Sequence, residues 1–187
     1  MSAQPTPALQ KLLRAGREEL AALRSEVAGI ELPRGRGSDP RELGRSGERG
    51  KAYAVHRLDR DTSGLLLVAR NHKARDIIVK RWPEVEKVYV AVAEGKLDPP
   101  EGTIIAQLRE DKRTLDVRVD DVDKAARRTV SHYKTLAEGR GRSLVEVRLE
   151  TGHKHQIRVH LASRGCPVAG DPRYGGERRA DVRRMAL

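Results

Sequence analysis

The sequence predicts an α+β fold in which short helices flank a largely antiparallel mixed sheet. Three observations lead there. From Tyr53 onward, short segments rich in Val, Leu and Ile recur along the chain, and several of them alternate apolar with polar residues. Few segments in that region carry a helical period. The spacings between the extended segments are hairpin-like, which suits antiparallel neighbours.

In chain order, residues 8–28 read as an amphipathic helix. Leu9, Leu13, Leu20, Leu23 and Val27 form its stripe, and Gly29 is a plausible stop. Residues 31–50 are rich in Gly, Pro, Arg and acidic side chains and nearly devoid of apolar ones, so a linker or flexible arm is expected. Residues 1–52 therefore form one portion and 53–187 a second of different character. Leu65 to Ala69 is a short apolar run, the signature of a buried strand, and Lys73 to Arg81 suits a helix. Strands are expected at Lys87–Ala93, Thr103–Leu108, Thr114–Val119, Thr129–Leu136 and Ser143–Leu149. Thr151 is placed to cap a helix running through His155–Ser163, ended by Gly165 and Pro167. In that helix Ile157 and Leu161 share the buried face, while His155, Gln156 and Arg158 lie on others.

The chain has 187 residues, 37% of them hydrophobic and 35% charged, as expected of a soluble globular protein. It has no run near the roughly 18 apolar residues of a membrane span, and residues 1–10 lack the pattern of a secretory signal. The single cysteine, Cys166, cannot staple the fold and reads as a lone buried thiol. The expected location is the cytoplasm. Lys and Arg number 38 against 27 Asp and Glu, a net charge of +11, which favours a polyanionic partner. Trp82 and four tyrosines, with no phenylalanine, argue against a broad stacking platform for single strands. A nucleic acid, if that is the polyanion, would dock through phosphates and shape, with one or two bases handled individually.

Two segments carry the chemistry. In the first, Val55-His56-Arg57-Leu58-Asp59-Arg60-Asp61-Thr62-Ser63-Gly64, a loop bearing Asp59 leads into the apolar run that follows. Small hydroxyl residues and glycine build the turn. A rigidly held carboxylate beside a sheet is a good nucleophile or base; the plainer alternative is an aspartate that caps backbone amides. In the second, Thr151 to Leu161, a helix bears Arg158, and the plainer alternative is an ordinary basic surface helix. Zinc binding by His153, His155, His160 and His56 is disfavoured, because the spacing is not His-Glu-x-x-His and no cysteine pair accompanies it. A kinase reading of His56-Arg57-Leu58-Asp59 fails on the extra leucine and the missing glycine-rich loop.

Together the two segments resemble the RluA/RluD-type RNA pseudouridine synthases. That family carries H-R-L-D-x-x-T-S-G and T-G-x-x-H-Q-I-R-V-H-L motifs. Lys87-Val88-Tyr89-Val90-Ala91 is similar to its K-x-Y-x-A segment, and Gly165 to Gly175 to its G-x-P-I-x-G-D-x-x-Y-G stretch. The matches occur in the family's order across about residues 53–187. The resemblance implies the family's α+β catalytic-domain fold and isomerisation of uridine to pseudouridine in ribosomal or transfer RNA, with no cofactor and no metal. It also implies that Asp59 is the catalytic carboxylate, that Arg158 pairs with it, and that Tyr89 lies near the target base. Arg57, Arg60 and Arg173 are the expected phosphate contacts, and a monomer is the favoured state.

The family's domain usually has a strand and loop of the form hydrophobic-K-P-x-G before the aspartate motif, and such a segment is not evident in residues 1–52. Further strands usually follow a segment similar to Arg184–Leu187. The chain is therefore expected to be short at both ends, and the competing reading is a paralogue that binds RNA without turning it over.

Isomerisation breaks the N1–C1′ bond, turns the uracil and rejoins it through C5. A carboxylate supports this by attacking C1′ or by assisting an elimination. It must stay ionised in a partly dry pocket, and a guanidinium offering paired hydrogen bonds favours that state. Tyr89 would stack on the uracil or take the C5 proton. A uridine inside a helix is inaccessible, so it must be flipped or already unpaired.

Overall fold

The computed structural model describes residues 53–59, 61–62, 64–175 and 185–187, together with the backbone of residues 27–32. They fall in two compact units, residues 1–86 and residues 87–187.

The first unit holds a three-stranded sheet of order β1-β3-β2, formed by β1 (Val27–Leu32), β2 (Tyr53–Ala54) and β3 (Gly64–Ala69). Both pairings are antiparallel. β1 runs along the whole of β3, from Val27 opposite Ala69 to Leu32 opposite Gly64. This corrects two sequence expectations. Val27 and Ala28 belong to a strand rather than to the end of a helix, and a strand does precede the Asp59 segment. The stripe counted from Leu9 reached Val27 by spacing alone, whereas pairing with the apolar β3 decides the conformation of Val27–Leu32. The rest of the expected helix, and of the expected linker beyond Leu32, lies outside the described residues.

Helix α1 (His72–Lys80) follows β3, one residue from where the sequence placed it. Asn71 starts it by accepting the Ala74 amide on Oδ1 at 2.8 Å. Ala74 and Ile78, four apart, are buried with Ala69, while Tyr53, Val55, Leu67, Ile77 and Trp82 pack around them. Pro83 sits in the short 3₁₀ turn Trp82–Glu84 that follows.

The second unit is a five-stranded sheet of order β4-β8-β7-β5-β6, every neighbour antiparallel. Its strands are β4 (Lys87–Glu94), β5 (Glu101–Glu110), β6 (Val117–Val119), β7 (Arg127–Gly139) and β8 (Arg142–Leu149). β7 and β8 join through Arg140 and Gly141, both at positive φ (52° and 73°), the two-residue turn whose twist matches its strands. β6 is shorter than the expected Thr114–Val119. Asp111 Oδ1 accepts the amides of Arg113 and Thr114, and that side-chain turn takes up the residues before Val117.

One sheet face alternates inward with Ala91 and Ala93 from β4, Val145 and Val147 from β8, and Tyr133 from β7. Helix α2 (Gln156–Ser163) adds Ile157 and Leu161 to the same core, joined by Leu97, Cys166, Val168 and Met185. The outer edge of β4 is bonded too. The Ala169 amide reaches Val92 O at 2.7 Å, and the Val92 amide reaches Ala186 O at 2.9 Å. Leu161 is 1% exposed. Leu161→Ala is expected to destabilise the protein by about 2–5 kcal/mol, read as a lower urea midpoint with an unchanged slope.

Thr151 does not cap α2. The residue before the helix is His155, in the left-handed region at φ 55°, with no side-chain cap bond. Thr151 instead accepts the Val130 amide at 2.9 Å and donates to Gln156 Oε1 at 3.0 Å. Gln156 also accepts the His153 amide, so this glutamine, not the threonine, shapes the approach to the helix. Nor is α2 a surface helix, because every residue from Gln156 to Leu161 is buried. Its Gln156 and Arg158, expected on other faces than Ile157, are as enclosed as the apolar stripe.

Candidate active site

Two places hold the residues singled out by sequence, one in each unit. In the first unit the Asp59 loop is tied to β3 at its start. The Val55 amide donates to Leu67 O at 3.2 Å, and the Leu67 amide donates to His56 Nε2 at 2.9 Å. The His56 ring stacks on Trp82, with centroids 4.7 Å apart and planes 17° from parallel. Burial pushes the His56 pKa down, partly opposed by a hydrogen bond with the Arg57 backbone. The neutral ring, accepting at Nε2, is therefore the form that holds the loop. Leu58 is buried and Asp59 half-buried, and the Asp59 carbonyl accepts the Thr62 amide at 3.0 Å to close a turn. Arg57 is exposed. Arg60 lies outside the described residues.

In the second unit Arg158, 4% exposed, projects from α2 onto Asp171, which is fully buried. Arg158 Nε donates to Asp171 Oδ2 at 2.7 Å and Nη2 donates to Oδ1 at 2.9 Å, a two-pronged pair. The guanidinium also lies 5.0 Å from the centre of the Tyr174 ring. Burial pushes the Asp171 carboxyl up. The Arg158 hydrogen bonds and the amides of Arg173 (2.9 Å) and Tyr174 (3.3 Å) outweigh it and hold the group below its ordinary value. Tyr174 is held in turn. Its hydroxyl accepts the Val117 amide at 3.1 Å and lies 2.7 Å from His155 Nδ1, to which it can donate.

Tyr89 stands on β4 opposite Val147, partly buried against the core. Arg173 is engaged with the β5–β6 turn, with Nε 3.2 Å from Asp116 Oδ1 and Nη1 3.4 Å from Leu115 O, and is 41% exposed at the side chain. Sequence reading quoted Asp171 and Tyr174 within a motif but gave them no role. A buried acid thirteen residues beyond Arg158 has no local signature.

Below Arg158, α2 is bolted to the sheet by His160, which is 1% exposed. Thr129 Oγ1 donates to Ala106 O at 2.8 Å, so the His160 Nε2–H at 2.8 Å donates to that hydroxyl. Ser131 Oγ accepts from Gln156 Nε2 at 2.9 Å and donates its O–H to His160 Nδ1 at 2.9 Å. Both hydroxyls are thus satisfied by one neutral tautomer. Burial, assisted by Arg164, pushes the His160 pKa down to about 4. Against an unfolded value near 6.5, the native state binds fewer protons between those limits, so stability is full above pH ~6.5 and falls toward pH 4. The expected loss is about 3 kcal/mol by pH 4. Chemical melts of wild type and His160→Gln across that range check it, and the variant should show a flatter dependence.

Among the described residues no three His, Cys, Asp or Glu side chains gather as metal ligands. Nor is any helix among them long and apolar enough to cross a membrane.

Known proteins are similar to this chain in sequence and in fold. The sequence pattern of the RNA pseudouridylate synthase family matches residues 32–163. The uncharacterized RNA pseudouridine synthase YlyB of Bacillus subtilis is 41% identical over 135 residues, covering 71% of this chain and 44% of that protein. The ribosomal large subunit pseudouridine synthase D of Xanthomonas campestris is 41% identical over 129 residues, covering 67% of this chain and 38% of that protein. The chain spans about half the length of the curated relatives it matches. The solved structure of human RNA pseudouridylate synthase domain containing 1 superposes with a TM-score of 0.76 at 24% identity, covering 86% of this chain and 71% of that one. The fold is that of the human protein, and the span matched by the family, residues 32–163, runs through the Asp59 loop, Tyr89 and all of α2. The chain belongs to the RNA pseudouridylate synthase family.

Proposed function

We propose that this chain isomerises specific uridines of structured ribosomal or transfer RNA to pseudouridine, with Asp59 as the reacting carboxylate. The match of residues 32–163 to the family carries this reading, because it contains both the Asp59 segment and the Arg158 helix. Residues 53–187 form the catalytic domain in this reading, working in the cytoplasm as a monomer.

The reaction is an isomerisation without net redox change. The N1–C1′ bond breaks as Asp59 attacks C1′ or assists loss of the C2′ proton. The uracil turns and C5 bonds to C1′, displacing the carboxylate if Asp59 had attacked C1′, or with return of a proton to C2′ if that proton had been lost. The C5 proton then leaves to solvent while N1 gains one. No cofactor is required by that balance. In this reading Arg158 supports the Asp59 carboxylate through directed hydrogen bonds. Tyr89 stacks on the extruded uracil or takes the C5 proton. Arg57, Arg60 and Arg173 meet phosphates, consistent with a net charge of +11.

Mapping pseudouridines in total RNA from cells with and without this gene tests the proposal. Loss of one or a few sites is expected, and their location distinguishes ribosomal from transfer RNA. An unchanged map would leave a basic RNA-binding protein instead.

A further inference from the structure

The side chain that supports the reacting carboxylate must itself be aimed. An arginine has several soft torsions, and its planar head is useful to a second carboxylate only if the plane and the edge it presents are fixed. We propose that Asp171 and Tyr174 are positioning residues that lock the Arg158 guanidinium, one from its edge and one from its face, for the proposed reaction. The inference rests on the assignment of Arg158 as the partner of Asp59.

The geometry is specific. Asp171 takes the side edge of the guanidinium, bonding Nε and Nη2. Pinning that edge sets the direction of the opposite one, formed by Nη1 and the outer N–H of Nη2. Tyr174 covers a face, with its ring centre 5.0 Å from Cζ. Neither clamp residue can drift. The Asp171 carboxylate holds the turn that follows it through the Arg173 and Tyr174 amides. The Tyr174 hydroxyl is bonded to the Val117 amide and to His155 at the start of α2. The helix behind Arg158 is fixed through Gln156 and His160 to Ser131 and Thr129.

The arrangement also sets the charge. Asp171 neutralises much of Arg158 within the unit, so what reaches a second carboxylate is chiefly directed hydrogen bonding. Orientation therefore matters more than net charge, and an arginine at the same place with its head turned would be of little use.

The test uses the full chain with RNA carrying tritium at uridine C5, prepared from cells lacking the gene. Asp171→Asn keeps the size of the side chain but presents an NH₂ to the guanidinium. It is expected to lower kcat by about 10²-fold with KM for RNA within about threefold, and to move the acid limb of the kcat–pH profile upward. In an Arg158→Ala background it should cost nothing further in kcat. An unchanged kcat, or losses that multiply in the double variant, would overturn the proposal, as would an effect confined to KM or to thermal stability.

Should Asp171→Asn not fold, Tyr174→Phe, which keeps the ring and loses its anchoring hydroxyl, carries the same test. A lower kcat with the acid limb moved supports the clamp, and wild-type kinetics overturns it. The NMR signal of the Arg158 Nε–H separates this idea from the function it rests on. It should be slow to exchange in wild type and lost in Asp171→Asn whether or not the chain turns over RNA. Persistence in the variant sinks the clamp, whereas a wild type that releases no tritium sinks only the assignment of activity.

Discussion

Asp59→Asn is expected to lower pseudouridine formation by at least about 10⁴-fold while RNA affinity changes little, as removal of a reacting group does in other enzymes. The amide is the same size as the carboxylate but cannot attack C1′ or serve as a base. RNA is held largely by phosphate contacts elsewhere on a chain of net charge +11, so binding and turnover should separate cleanly. The fold should tolerate the change. The Asp59 loop is fixed by its neighbours, through His56 on Leu67 and Trp82 and through the backbone bond from Thr62 to the Asp59 carbonyl. Filter binding and nucleoside analysis on one preparation check both halves. Equal loss of both would mean that residue 59 holds RNA rather than acting on it.

Asp171→Ala is expected to destabilise the protein by roughly 3–5 kcal/mol, the cost of leaving a buried charge without its partner. The carboxylate is fully buried, and removing it strands the Arg158 guanidinium, itself 4% exposed. It also withdraws the acceptor from the Arg173 and Tyr174 amides. Replacing Arg158 with methionine in the same molecule should recover much of the loss, because an apolar side chain needs no counter-charge there. Urea denaturation of the single and double variants beside wild type measures this. A single-variant loss below about 1 kcal/mol would show that water or another group compensates the arginine.

Much of the fold was legible from hydrophobic periodicity. The alternation in Lys87–Ala93 and Ser143–Leu149, and the unbroken apolar run Leu65–Ala69, mark strands whose observed limits differ by a residue or so. What failed did so for long-range reasons. Val27 completes a helical spacing, but its ladder partner is Ala69, more than forty positions away. Thr151 has the composition of a cap, yet its hydroxyl is taken by Val130 across the sheet and by Gln156. Thr114 lies in an expected strand, but the Asp111 carboxylate draws it into a turn.

The candidate site divides in the same way. Asp59, Tyr89 and Arg158 stand out because they sit in motifs with fixed neighbours. The stack of His56 on Trp82 and the pairing of Arg158 with Asp171 depend on packing that no local pattern encodes. Likewise His160, for which the sequence disfavoured zinc binding and offered no other role, ties α2 to two sheet hydroxyls.

Release of tritium to water from RNA labelled at uridine C5, by purified wild-type chain and by Asp59→Asn in parallel, tests the central claim most directly. Isomerisation must expel that hydrogen, so wild type should release tritium in step with the pseudouridine it makes, and the variant none. Wild-type chain that binds the labelled RNA yet releases nothing, or a variant that releases it at the wild-type rate, would contradict catalysis by this carboxylate.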